Sequence, residues 1–246
     1  RRSQRSDARQ QTRVRPSVTM VDQRKENYHY EEALKTLRTN IQFAGAEITS
    51  ILVTSCYPNE GKSDIVSQLA KEMGKAGKKV LLLDADIRKS AFIQRFQIEG
   101  EVKGLSQYLS GQVAVRDILY TTNYANVDII FAGPVAPNPS ELLEGKLFAH
   151  LVEGLSQRYD YILIDTPPMA SVIDAAIVGG VCDGAILVIE DGTVGYRTAQ
   201  KVKAQLEKSG SRVLGAVLNK VEMKKGKYYS YDKYGKYGKY GRYGKY

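Results

Sequence analysis

"ILVTSCYPNEGKSDIVSQL", residues 51–69, holds a strand, a loop and the first turns of a helix in nineteen positions. Its opening residues are apolar or β-branched, as in a strand buried on both faces. From Lys62 onward the apolar positions follow helical spacing. Gly61, Lys62 and Ser63 close the loop and open the helix, so backbone N–H groups and the positive helix end converge on one point. That junction suits a phosphate: Lys62 reaches the β- and γ-phosphates and the Ser63 hydroxyl ligates Mg²⁺. The strict pattern G-x-x-x-x-G-K-[ST] is not met, because Cys56 stands where its first glycine belongs. On this stretch alone, a plain strand–turn–helix junction with a chance Lys-Ser stays open.

Working outward, the same alternation repeats. Short apolar runs are "ITSILVTS", "KKVLLLDAD", "VDIIFAG", "YDYILIDT", "DGAILVIE" and "RVLGAVLNKV". Amphipathic stretches lie before and between them, at "NYHYEEALKTLRTNIQFAG" and over 62–76, 140–158 and 195–208. The pattern predicts an α/β fold: a mostly parallel sheet with helices on both faces. Ligands of such sheets bind beyond the carboxyl ends of the strands. Asp84 and Asp86 end one strand there and Asp165 ends another. Carboxylates at buried strand tips are costly without a cationic partner, and Lys62 with Mg²⁺ supplies one. Any one of the three aspartates has a bland use as a helix N-cap; their order after the loop is that of a P-loop NTPase, with Asp165 in the metal-holding role.

The bulk properties narrow the class. The 246 residues suit one α/β domain with extensions, and no apolar run approaches the roughly 18 residues that cross a bilayer. Two cysteines, Cys56 and Cys182, suggest reduced thiols rather than a disulfide framework. His29 and His150 have no cysteine cluster near them, which disfavours zinc. The net charge of +9 suggests nucleic acid until it is divided along the chain. Residues 1–25 carry +6 and residues 227–246 carry +5, leaving −2 for residues 26–226. The folded part is near neutral, so no specific nucleic acid is expected as its partner. The expected organisation is a basic N-terminal arm over 1–27, partner-bound or belonging to a fused activator segment, a P-loop domain over 28–226, and a tail over 227–246.

That tail reads "KYYSYDKYGKYGKYGRYGKY", with tyrosine at every third position from Tyr234 to Tyr246. Four glycine triplets without proline are too few for a collagen-like helix, and this glycine density opposes an α-helix. The expectation is a flexible coil whose twenty residues have an r.m.s. reach of about 22–27 Å.

From about residue 28 onward the sequence resembles the bacterial tyrosine kinases of capsule and exopolysaccharide synthesis, in their separate cytoplasmic form. The likeness rests on "SCYPNEGKS", "LLLDAD", "ILIDTPP", "APNPSELL" and the C-terminal tyrosine cluster, in that order. It implies ATP held by Asn59, Glu60, Gly61, Lys62, Ser63 and Asp64, with Asn219 at the base by analogy. Ser63, Asp86 and Asp165 would hold Mg²⁺, and Lys62, Asp84, Asp86 and Asp165 would form the catalytic set, Asp84 receiving or orienting the phenol. Tyr228, Tyr229, Tyr231, Tyr234, Tyr237, Tyr240, Tyr243 and Tyr246 would be acceptors, phosphorylated in trans. The resemblance further implies a ring-like homo-oligomer through a Glu-x-x-Arg-x-x-Arg helix, present here as Glu32, Lys35 and Arg38. It implies activation by the cytoplasmic segment of a membrane adaptor of the chain-length-determinant type, a cognate tyrosine phosphatase, and a cytoplasmic location at the inner face of the membrane.

Three departures stand out: Lys35 replaces an arginine, Asn59 replaces a glycine, and the acid Asp64 follows Ser63 directly. Two rival readings fit parts of this pattern. Positioning ATPases of the ParA/MinD type carry a lysine five residues before the loop lysine, where this chain has Tyr57. A non-enzymatic module with basic arms would stack its tyrosines on bases, but it has no use for a phosphate loop and three strand-tip aspartates.

Overall fold

The computed structural model describes residues 15–22 and 27–222. Eight strands form one sheet: β1 (Ser17–Val18), β2 (Ser50–Ser55), β3 (Val80–Asp84), β4 (Tyr120–Thr122), β5 (Val127–Ile130), β6 (Tyr161–Asp165), β7 (Gly184–Glu190) and β8 (Val213–Asn219). Their order across the sheet is β1-β4-β5-β3-β6-β2-β7-β8, and every pairing is parallel except β4 with β5. β2, β3 and β6 are buried at every position. Alternation sends their side chains into two cores. Leu52, Leu81, Leu83, Ile162 and Ile164 face one core. Ile51, Val53, Val80, Leu82 and Leu163 face the other. Continuous apolar strands follow from this two-sided covering, as the sequence predicts.

Helices α1 (Tyr28–Ala44) and α2 (Lys62–Lys75) cover one face through Leu34, Ile41, Ile65, Leu69 and Met73. The other face is covered by α4 (Leu105–Leu109), α6 (Pro139–Glu144), α7 (Lys146–Ser156), α8 (Asp174–Gly179) and α9 (Tyr196–Lys208). Short helices α3 (Phe92–Arg95) and α5 (Val115–Ile118) lie in the crossovers after β3 and before β4. The helix expected over 140–158 is two helices, because Gly145 takes an extended conformation that both caps α6 and starts α7.

Residues 15–22, placed by composition in the basic arm, lie on the sheet. Ser17 and Val18 pair with Thr121 and Thr122, and Met20 is buried in the core of the α1 face. Two apolar side chains and a two-residue ladder suffice to seat the segment on an edge strand. The remainder of the arm, the tail from 223 and its eight tyrosines lie outside the described residues.

Candidate nucleotide site

The strand β2 delivers the chain to a loop whose shape is fixed from within. Glu60 is buried, and its Oε2 accepts hydrogen bonds from the backbone N–H of Cys56 at 2.7 Å and of Tyr57 at 3.0 Å. Cys56 fills the apolar space behind this turn, and burial pushes its thiol up to about 11. Asn59 and Gly61 both have positive φ, 66° and 89°. Asparagine is the side chain that tolerates this region best after glycine, so the departure at 59 keeps the backbone the loop requires. At Gly61 a Cβ would also meet the Asn219 amide at 2.2 Å.

Gly61 caps α2, and Lys62 and Ser63 form its first turn. There the Ser63 hydroxyl donates to Asp165 Oδ2 at 2.7 Å, and Lys62 Nζ lies 3.4 Å from the same oxygen. The other oxygen of Asp165 is buried and has no hydrogen-bond partner. Burial raises the Asp165 carboxyl above the usual carboxylate range, against the opposing pull of Lys62 and Ser63. Asp84, fully buried next to it, is pushed up to about 8, first by burial and then by the Asp165 charge. The Ser90 hydroxyl and the Asp86 backbone N–H both donate to the Asp84 carboxylate. Asp86 accepts from the Lys89 backbone N–H at 2.9 Å and lines the open cleft.

The three carboxylates of the sequence reading thus meet the loop at the carboxyl ends of β3 and β6, which are neighbours in register at Asp84 and Asp165. They suit Mg²⁺ in the manner of phosphate-transfer sites, where one or two carboxylates and a hydroxyl share the ion with the substrate phosphates. The unpartnered Asp165 oxygen is the donor such an ion would satisfy. Among the described residues, no group of three or more His, Cys, Asp or Glu is placed to hold a metal ion by itself.

Asp64, the acid that follows Ser63, lines the same cleft with both oxygens engaged. Its Oδ1 pairs with Arg95 at the end of α3, and its Oδ2 accepts from the Tyr30 hydroxyl at 3.2 Å. Asn219 sits at the rim of the cleft, but its side-chain amide donates to the Glu60 carbonyl at 2.9 Å. Lys220 beside it reaches the Asn59 carbonyl at 2.6 Å. The end of β8 therefore braces the loop. Glu32 and Lys35 pair on the exposed side of α1, whereas Arg38 is turned inward to Glu72 of α2 at 2.7 Å.

Sequence reading missed a second bracket around the acids. Arg88, two positions after Asp86, makes a two-pronged pair with the buried Asp174 at 2.6 and 2.9 Å, and Ser140 bonds to both. A cation following the acidic pair in "DADIRK" was the available signal; Asp174, inside the apolar "VIDAAIV", offered none. The whole cleft, about 1220 Å³, also takes its walls from Pro58, Pro167, Pro168 and Val172.

An AAA-domain family matches residues 59–207. The tyrosine-protein kinase CpsD of Streptococcus agalactiae is 42% identical over 201 residues, covering 82% of this chain and 88% of that protein. Among solved structures, the kinase domain of the Escherichia coli tyrosine kinase ETK superposes with a TM-score of 0.76 at 34% identity, over 82% of this chain and 79% of that one. The chimerical protein CapA2B2 gives 0.74 at 31% identity, over 84% and 95%. The septum-site-determining protein MinD of Pyrococcus horikoshii, solved with Mg-ADP, gives 0.61 at 26% identity over 70% of each chain.

Proposed function

The chain belongs to the bacterial tyrosine-protein kinases, and on that premise we propose that it transfers the γ-phosphoryl group of ATP to tyrosines of its own C-terminal tail, in trans. The observation that carries the proposal is the convergence of Lys62, Ser63 and Asp165 in one contact, with Asp84 and Asp86 at its edge. Lys62 and the backbone N–H groups of the α2 start bind the phosphates. Mg²⁺, held by Ser63, Asp86 and Asp165, would offset charge on the β- and γ-oxygens. Asp84 is the group that takes or orients the phenolic proton. Burial raises its proton affinity toward the neutral range, which makes its ionised form a stronger proton acceptor than an ordinary carboxylate. The bracket of Arg88, Asp174 and Ser140 keeps the Asp86 loop in place.

The acceptors would be Tyr228, Tyr229, Tyr231, Tyr234, Tyr237, Tyr240, Tyr243 and Tyr246. Eight phosphates add about −12 to −16 and reverse the tail's charge, which suggests that modification loosens the oligomer. A ring through α1 is supported by its exposed stripe of Tyr28, Glu32, Lys35 and Phe43, spaced as one helical face. Arg38, engaged with Glu72, would contribute only by exchanging partners. We place the protein at the cytoplasmic side of the membrane, in control of capsule or exopolysaccharide assembly, with a membrane adaptor as activator and a tyrosine phosphatase as antagonist. The N-terminal segment seated on the sheet edge offers an attachment point for such an adaptor. No helix among the described residues is long and apolar enough to cross a membrane.

The test is phosphotyrosine mapping by mass spectrometry after incubation with ATP and Mg²⁺, with the adaptor's cytoplasmic segment added. Wild type should carry phosphate on the tail, and Lys62→Met should carry at least about 100-fold less. Equal labelling of the two proteins, or none in wild type, would overturn the reading.

A further inference from the structure

At the opposite end of the sheet from the nucleotide loop lies a second cavity, of about 660 Å³. It opens where β3, β5 and β6 begin, and one wall is apolar: Val115, Leu119 and the ring of Tyr159. The rim is cationic, with Lys79 just before β3, Arg116 on α5 and Arg158 just before β6. All three are exposed, and no ion pair among the described residues engages Lys79 or Arg158. Arg116 touches only the neighbouring Asp117, at 3.9 Å.

The one acid in the lining is Asp128, and it is already answered. It accepts from Arg15 at 3.0 Å and from the Tyr159 hydroxyl at 2.5 Å. The pair leaves the three rim cations free to act on something else. Two of them are arginines, whose planar fork binds phosphate in two-pronged fashion.

A bare anion needs no apolar wall, and a lipid tail needs no cluster of arginines. The combination of a short apolar wall and a trivalent basic rim fits an aryl phosphate, the ring against Leu119 and Tyr159 and the dianion on the rim. This chain carries a dense supply of the precursor, a tyrosine at every third residue from Tyr234 to Tyr246. Three extended residues span about 10 Å, so neighbouring phosphotyrosines would present one ring to the wall and a second phosphate to the rim.

We propose that this groove is a docking site for the phosphotyrosyl form of the C-terminal tail. The idea rests on the kinase reading for its ligand, but the groove can be tested without catalysis. Before modification the tail is basic, +5 over residues 227–246, and the rim repels it. Each phosphate reverses that sign locally, so docking follows modification and moves the modified tail to the end of the sheet away from the nucleotide cleft.

The experiment is fluorescence anisotropy on full-length Lys62→Met, whose own tail stays unmodified. The probes are synthetic peptides of residues 234–246, unmodified or phosphorylated at Tyr237, Tyr240 and Tyr243. The phosphopeptide should bind at least about 30-fold more tightly than its unmodified twin. Phenyl phosphate should compete better than inorganic phosphate. Adding Lys79→Glu and Arg158→Glu to the same chain should weaken binding about tenfold or more, with Lys79→Gln and Arg158→Gln intermediate. Circular dichroism and the urea-unfolding midpoint should be unchanged in each. Equal binding of the two peptides, equal competition by inorganic phosphate, or unaltered affinity in both rim variants would overturn the proposal. A wild-type chain that binds the phosphopeptide yet never labels itself with ATP, Mg²⁺ and the adaptor's cytoplasmic segment would sink the kinase reading and leave the groove standing.

Discussion

Asp64 sits where an acid next to phosphates is least expected, and the structure resolves it through charge pairing. A carboxylate at the first turn of α2 is favoured by the helix end, while Arg95 and the Tyr30 hydroxyl engage its two oxygens. Arg95→Ala removes a cation paired with the nearly buried carboxylate, which should cost about 1–3 kcal/mol in urea unfolding. It should also weaken ATP binding several-fold, because Asp64 then repels the phosphates. Adding Asp64→Ala to Arg95→Ala should restore most of both losses; failure to restore would show that the pair does not act as a unit. Cys56 makes a different prediction at this scale. Its thiol is raised from an ordinary 9.0 to about 11 by burial, so between those values the unfolded chain releases a proton that the folded chain keeps. Stability should therefore fall as pH rises above 9 and level off near 11, at up to about 1.4 kcal/mol per pH unit. Comparing urea midpoints at pH 8 and pH 10, the drop should be larger in wild type than in Cys56→Ala.

Among the elements, the loop between β2 and α2 depends on the last strand of the sheet. Asn219 and Lys220 hold the carbonyls of Glu60 and Asn59, and Glu60 in turn holds the start of the loop. Asn219→Ala removes one such bond at a partly buried position, worth about 1 kcal/mol. ATP affinity measured by calorimetry should fall about fivefold, with stability in urea unfolding lowered by about 1 kcal/mol. A larger loss confined to adenine nucleotides, with inorganic triphosphate unaffected, would instead assign Asn219 to the base. Much of this level was legible in the sequence. The six long strands, α1, α2 and α9 announced themselves because burial on two faces or on one stripe leaves a period in the residue order. What stayed hidden had no period to show. β1 and β4 are two and three residues long, and α3, α5 and α8 are single crossover turns. The site divided in the same way. Lys62, Ser63 and the aspartates are marked by loop spacing and strand ends. Arg88 with Asp174, and Asp64 with Arg95, are partners made by folding across 86 and 31 residues, and no local pattern encodes them.

At the scale of the whole molecule, charge and chemistry are separated along the chain. The near-neutral body carries the phosphate site at one end of its sheet and a basic groove at the other. The basic N-terminal arm, seated on the sheet through residues 15–22, and the basic tail flank that body in sequence, and eight tyrosines are gathered in the tail. The decisive measurement mixes two versions of the chain. Lys62→Met with its tail intact can accept phosphate but not deliver it. A chain ending at Glu222 can deliver but lacks the tail. Neither should label itself on the tail tyrosines. Incubated together with ATP, Mg²⁺ and the adaptor's cytoplasmic segment, they should yield phosphotyrosine on the tail of the Lys62→Met chain, read by mass spectrometry. An unlabelled tail in the mixture, under conditions in which wild type labels itself, would contradict transfer between subunits.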